Sequence, residues 1–430
     1  MFSKAALLSL VLPAARASSI CQQSASNFTQ SGNETQPLDP NTPTNGTVNG
    51  TLPVDDTPWV PSCKLPANPF TWMSVGHGFM SDCVPSTGTI QGFMIFVDFP
   101  GNEATEDSPQ ENYDFLVPDA NKWFQESSYG QLALNITADT SKFYRMPHSA
   151  ESYNWDSGLS NQQQYAYVED ALDAYMNNGE NPAPAQTDIL YIVPTRNNPW
   201  FTRSLASSFG AFTRNNTFVS KRAITFGSDP YFWGYKALNH ETGHAMCLPD
   251  LYPLEGLSVG EYVGGWDLMG NIGGMASDFF AWDKWRLGWL VDEDIDCILE
   301  HGTTRHTLTP VATQGGGTKA IVVAANKTSA LVAEARVAKG LDKKVCAPGV
   351  LLYTVDTTMY TGGGPIRVLD ATPGSDSCGS EINGWEPMND ATLTMGGVKS
   401  YEAPGWGITV TLVDEKDDKF AVEVEYSKSL

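Results

Sequence analysis

His240-Glu241-Thr242-Gly243-His244-Ala245-Met246-Cys247-Leu248-Pro249-Asp250-Leu251-Tyr252 is the stretch on which the reading of this chain turns. His240 and His244 are four residues apart, so on a helix their imidazoles project from one face. Two neutral ring nitrogens so placed can bind one Zn²⁺. Glu241 follows the first histidine and can serve a metal-activated water as general base. The upstream Asp229-Pro230-Tyr231 predicts the helix start, with aspartate as cap and proline in the first turn. A catalytic zinc usually takes three protein ligands and keeps one position open. Asp250 lies just past the break that Pro249 forces, and a chain reversal there would return it to the metal. Glu255, Glu261 and Asp267 are weaker substitutes as third ligand.

Working outward, Gly265-Trp266-Asp267-Leu268-Met269-Gly270 places a methionine in a tight turn, and Ser277 is expected to cap a helix over 278–287 ended by Gly288. The structural alternative for Met269 is a core methionine filling a gap. Beside the histidine run it is better read as support beneath the zinc ligands, the arrangement of metzincins. Upstream, 90–99 and 188–193 read as buried strands, 131–137 as a strand, and 113–126 and 165–177 as helices. This alternation predicts an α/β (α+β) catalytic domain over 63–295. From 296 to 430, short β-prone runs at 307–311, 319–323, 330–335, 350–355, 408–413 and 420–426 predict a smaller all-β domain, expected to be a sandwich.

The histidine run, Trp266-Asp267-Leu268-Met269-Gly270, Ala281-Trp282-Asp283-Lys284-Trp285-Arg286-Leu287-Gly288-Trp289 and the upstream Ser128-Tyr129-Gly130-Gln131-Leu132 together resemble the immune inhibitor A-like metalloproteases, secreted fungal members most of all. The resemblance covers roughly residues 90–290 well and the C-terminal β region loosely. It implies a zincin-type fold and a zinc endopeptidase acting on protein or peptide substrates, with His240, His244 and Asp250 as metal ligands and Glu241 as base. Two positions depart from the family pattern. Cys247 stands where glycine is usual, at a turn that often needs positive φ. Asn271 stands two residues after Met269, where some metzincins carry tyrosine. Tyr252 and Tyr262 are then the candidates for oxyanion stabilisation. Calcium is compatible with such an enzyme but has no motif here.

The chain has 430 residues, 26 basic and 49 acidic side chains, and a formal charge of −23. That balance argues against nucleic acid and anionic membranes as partners. Residues 1–17 read as a signal peptide, with Lys4, an apolar run from Ala5 to Ala15 and a small-x-small site at Ala15-Arg16-Ala17. No run is long enough for a transmembrane anchor, so the mature protein is expected to be secreted and extracellular. Residues 18–62 are polar and expected to be disordered and glycosylated, with sequons at Asn27, Asn33, Asn45 and Asn49; Asn135, Asn215 and Asn326 are further sequons. Seven cysteines in an exported chain predict disulfides, and the odd number means that at least one thiol is free or pairs between chains. Nothing in the sequence fixes the oligomeric state.

Other motifs carry less. Gly256-Leu257-Ser258-Val259-Gly260 matches a nucleophile elbow without its strand and helix. Asp156-Ser157-Gly158 resembles an aspartic-protease signature but has no second copy to form a dyad. His77, His148, His301 and His306 read as structural or surface residues, and the tryptophans around 266–289 as core. The competing functional reading is a secreted binding or adhesion protein on a degenerate metzincin-like scaffold. Cys247 and the lack of a folded prodomain motivate it; the retained Glu241, His240 and His244 oppose it.

Overall fold

Gly88–Asp98 (β1) is apolar and buried along most of its length, as a strand must be when both faces of its sheet are covered. In the computed structural model, which describes residues 62–79, 83–156, 159–182, 184, 187–207, 211–214, 216–254, 256–379 and 388–427, this strand lies inside a seven-stranded sheet. Leu132–Ala138 (β2) and Tyr144–Arg145 (β3) pair with it in parallel on one side, and Thr187–Pro194 (β4) does so on the other. Thr217–Thr225 (β7) continues the parallel set beyond β4. The short Leu205–Ala206 (β5) and Phe212–Arg214 (β6) close that edge antiparallel to β7.

Helices cover both faces, as parallel crossovers require. Pro109–Ser127 (α1) packs Leu116, Ala120, Trp123 and Phe124 with Ile90, Met94 and Phe96 on one face. Asn161–Met176 (α2) packs Val168, Ala171 and Leu172 with Ile95, Val97 and Ile192 on the other. The first helix starts earlier than its apolar period suggests because Ser108 and Glu111 form a capping box, with Pro109 in the first turn. Its end turns through left-handed Tyr129 and Gly130, so Ser128–Leu132 links α1 directly to β2.

The C-terminal region forms two sheets. The first, in the order β13-β12-β11-β10-β8, holds Ile295–Ile298 (β8), Ala320–Ala324 (β10), Ser329–Arg336 (β11), Gly349–Asp356 (β12) and Ile366–Val368 (β13). The second, in the order β14-β15-β16-β9, holds Gly302–Leu308 (β9), Ser400–Ala403 (β14), Ile408–Lys416 (β15) and Lys419–Tyr426 (β16). Alternation decides the packing. Ile321, Val323, Leu331 and Leu352 share one cluster with Val410, Leu412, Phe420 and Val422 of the second sheet. Val322, Val332, Leu351 and Tyr353 point the other way, into the cluster that holds α1 and Trp282. The molecule is therefore a mixed α/β body followed by a β region, and one apolar core runs across residue 295.

Buried charge joins the same two regions. Arg336 on β11 pairs with Glu334 (2.5 Å) and Asp342 (2.8 Å) and donates to the Phe279 carbonyl. The Glu334 carboxylate also accepts from the backbone N–H of Ala281 and the hydroxyl of Tyr353. Removing one member of such a buried pair leaves an uncompensated charge and costs about 3–5 kcal/mol. Three disulfides, Cys63–Cys297, Cys83–Cys247 and Cys346–Cys378, use every cysteine but Cys21. Cys21, the proposed signal peptide, the 18–61 segment with its four sequons, Asn215 and Glu255 lie outside the described residues. Asn135 and Asn326 are exposed. Among the described residues no helix is long and apolar enough to cross a membrane.

Because the five-stranded sheet is covered on both faces, a chain ending at residue 294 should not fold alone. Such a fragment is expected to lose cooperative thermal unfolding and near-ultraviolet circular dichroism; a sharp melting transition in it would show that the two regions fold independently.

Candidate functional site

The helix carrying the histidines starts later than its sequence suggests. Pro230–Trp233 (α3) is a single turn, Gly234 breaks it at φ 62°, ψ −146°, and Tyr235–Ala245 (α4) follows. Asp229 does not cap: its carboxylate accepts from the Ser204 hydroxyl at 2.8 Å instead. The break leaves His240, Glu241 and His244 together on α4, with Leu238 and Ala245 turned into the core on the face that α1 covers.

The end of α4 determines the rest. Leu248 N–H reaches back to Gly243 O (2.9 Å) and Cys247 N–H to His244 O (2.8 Å), the two bonds of a Schellman termination. Such a termination needs a left-handed residue, and Cys247 supplies it at φ 66°. A β-carbon is disfavoured there. Two contacts hold it in place: the disulfide to Cys83, and Arg286 donating to the Cys247 carbonyl at 2.8 Å. The non-glycine residue at this position thus keeps the turn that glycine would make, and the chain reverses to bring Asp250 back over the helix.

His240, His244 and Asp250 converge, with one ligand atom from each lying within 4.8 Å of the others. Asp250 Oδ1 is 3.4 Å from His240 Nε2 and 3.1 Å from His244 Nε2. Each Nδ1 faces a backbone carbonyl, Leu268 O at 3.0 Å for His240 and Leu248 O at 2.8 Å for His244. A carbonyl only accepts, so each Nδ1 carries the proton, and in the neutral ring Nε2 presents a lone pair. Asp250 Oδ1 is buried, and the polar atoms that face it are the two imidazole Nε2 atoms. Three acceptors then face one point, an arrangement that requires a cation between them. With a proton as that cation the three residues form two histidine–carboxylate ion pairs. Burial opposes charge on His244, but Asp250 outweighs it and raises the imidazole to about 9. A divalent metal satisfies the same three atoms with both rings neutral, so the donor set, two imidazoles and one carboxylate, fits zinc.

Glu241 is buried beside them, and burial pushes its carboxyl above the ordinary range while His244 and His240 pull it down. Met269 lies directly under α4. A β-carbon on Gly243 would sit 2.6 Å from Met269 Sδ, so glycine here lets the methionine touch the helix backbone between the two histidines. The same turn supplies Leu268 O to His240 and Met269 O to the N–H of Leu251.

The weaker third-ligand candidates sit elsewhere. Asp267 is fully buried, and its two oxygens accept from the N–H groups of Met269 (2.7 Å) and Phe280 (2.6 Å), which shapes the turn. Glu261 is exposed on the following loop and is not part of the converging group. Tyr252 stacks near His240, with centroids 6.2 Å apart, whereas Tyr262 lies under the Arg367 guanidinium. Asn271 accepts from Gly273 N–H. The helix after the methionine turn is Ala281–Arg286 (α5), shorter than 278–287, because Asp278 turns inward to Lys284 (2.6 Å) and Ser127 (2.5 Å) and Ser277 donates to Leu341 O. Trp266, Trp282, Trp285 and Trp289 are core residues. Ser258 is exposed in a loop with neither strand before nor helix after it; Asp156 accepts from Thr202 N–H, and Ser157 and Gly158 lie outside the described residues. His77 packs edge-on against Trp282 and Trp285, His301 lies against Tyr426, His306 bonds Asp296, and His148 is exposed; none reaches the site.

In comparisons with known proteins, no family model matches the chain and no curated protein matches it.

Gly243→Ala forces Met269 away from the helix. It should lower stability by about 1–3 kcal/mol, the usual cost of overpacking a filled core, read as a fall in the urea midpoint. An unchanged midpoint would mean that Met269 does not brace α4.

Proposed function

We propose that the chain is a secreted zinc-dependent endopeptidase with a zincin fold of the immune inhibitor A-like kind. The observation that carries this is the convergence of His240 Nε2, His244 Nε2 and the buried Asp250 Oδ1, with Glu241 on the same helix. The methionine turn braced against Gly243 supports the resemblance, and three disulfides accord with export. Cys247, which motivated a binding-protein reading, holds the glycine-type turn and so no longer favours that reading.

Zinc held by His240, His244 and Asp250 would polarise the scissile carbonyl and acidify the attacking water. The Leu268 and Leu248 carbonyls fix the tautomer and ring plane of each histidine, which keeps both lone pairs aimed at one point. Glu241 takes the proton of the attacking water and passes it to the leaving amine.

Zinc per chain and chelator-sensitive cleavage of casein test the assignment. Glu241→Ala should keep its zinc and lose cleavage by at least ~10²–10⁴-fold, the range of general acid–base contributions. His240→Ala and His244→Ala should lose both. Full activity in Glu241→Ala would sink the catalytic assignment, and wild-type protein that neither binds zinc nor cleaves would favour the binding or adhesion protein.

A further inference from the structure

Asp250 is held by a segment more than a hundred residues away. β12 ends at Asp356, and the connection to β13 runs through 357–365. Ser74 and Thr71 pin that connection by donating to the carbonyls of Thr357 and Thr358. At its tip, Thr361 Oγ1 accepts the backbone N–H of Asp250 at 2.8 Å and lies 3.4 Å from Asp250 Oδ2 as donor. The next residue, Gly362, gives its N–H to the Asp250 carbonyl at 2.9 Å. Gly362 is left-handed at φ 71°, and a β-carbon there would collide with the Leu254 side chain, so glycine lets the connection close on the segment that follows Asp250. Both backbone polar groups of Asp250 and one carboxylate oxygen are thereby engaged by two consecutive residues of the β region. The oxygen left over, Oδ1, is the one that faces the two histidines.

We infer that Thr361 is a positioning residue for the metal site: its hydroxyl bridges the N–H and Oδ2 of Asp250 and so directs Oδ1 at the point where His240 and His244 converge. This rests on the zinc reading above. It gives the β region a part in the site that its distance in sequence conceals. One hydroxyl can serve both atoms because it accepts with a lone pair and donates with its proton. Valine has the same shape and can do neither. Serine can do both. Outer-shell partners of this kind are typically worth 10–100-fold in metal affinity.

The experiment measures zinc affinity of the full chain by competition with a chromogenic chelator, for wild type, Thr361→Val and Thr361→Ser. Thr361→Val should bind zinc about 10–100-fold more weakly, and Thr361→Ser should match wild type. Thermal midpoints of the metal-free proteins are compared alongside. If valine lowers that midpoint, Thr361→Ala is measured in its place against the same serine control. Wild-type affinity in the valine or alanine variant overturns the inference while leaving the zinc reading intact. Loss of affinity in serine as severe as in valine also overturns it, because the hydroxyl would then not be the active element. Wild-type protein that binds no zinc overturns the metal reading, and this inference with it.

Discussion

The left-handed backbone at Cys247 is the constraint on which the site depends. A helix that simply frayed at His244 would carry the chain away from its own last turn. The Schellman bonds fold it back, and three consequences follow from that one reversal. Leu248 O is delivered to His244 Nδ1, Pro249 becomes tolerable immediately beyond the helix, and Asp250 arrives over the imidazoles. An L-residue in this conformation carries a penalty of roughly 1–2 kcal/mol. The structure answers it with a covalent tie to Cys83 and a buried guanidinium from Arg286. Arg286 belongs to the helix that follows the methionine turn, so the two signature segments of the sequence meet at this corner.

Much of the site could be read from the chain because its members are local. The i, i+4 spacing of His240 and His244 requires only helical geometry, and Pro249 signals a chain break before Asp250, although the left-handed Cys247 that makes the reversal has no glycine to announce it. Met269 was legible as a turn residue, while its contact with Gly243 needed the fold. The boundaries that shifted did so where tertiary bonds outcompeted local signals. Asp229-Pro230 looks like a helix start, yet Ser204 takes the aspartate and Gly234 interrupts the run. Ser277-Asp278 looks like a cap, yet Asp278 turns to Lys284. The strand Thr217–Thr225 escaped notice because Lys221 and Arg222 interrupt its apolar pattern, although Arg222 is buried in the sheet. Thr361 has no local signal at all; it stands 111 positions from the aspartate it touches.

The C-terminal sheets were recognisable as short β-prone runs, and their two-layer packing follows from simple alternation. What alternation does not reveal is that the second face of the five-stranded sheet is buried too. That face, the Arg336 network and the 357–365 connection make the β region part of the same body as the α/β sheet.

The disulfide between Cys63 and Cys297 has a topological meaning. It joins the first described cysteine to the start of the β region and closes a covalent ring across 234 positions. His240, Glu241, His244 and Asp250 all lie within that ring, and the Cys83–Cys247 bridge is nested inside it. On a loop-closure basis a ring of this size reduces the entropy of the unfolded chain by the equivalent of roughly 5 kcal/mol at 25 °C. A single backbone cut inside the ring opens it without freeing a fragment. For a protein exposed to proteolysis, a nick in one surface loop within the ring would then leave His240, Glu241, His244 and Asp250 on one covalently connected molecule.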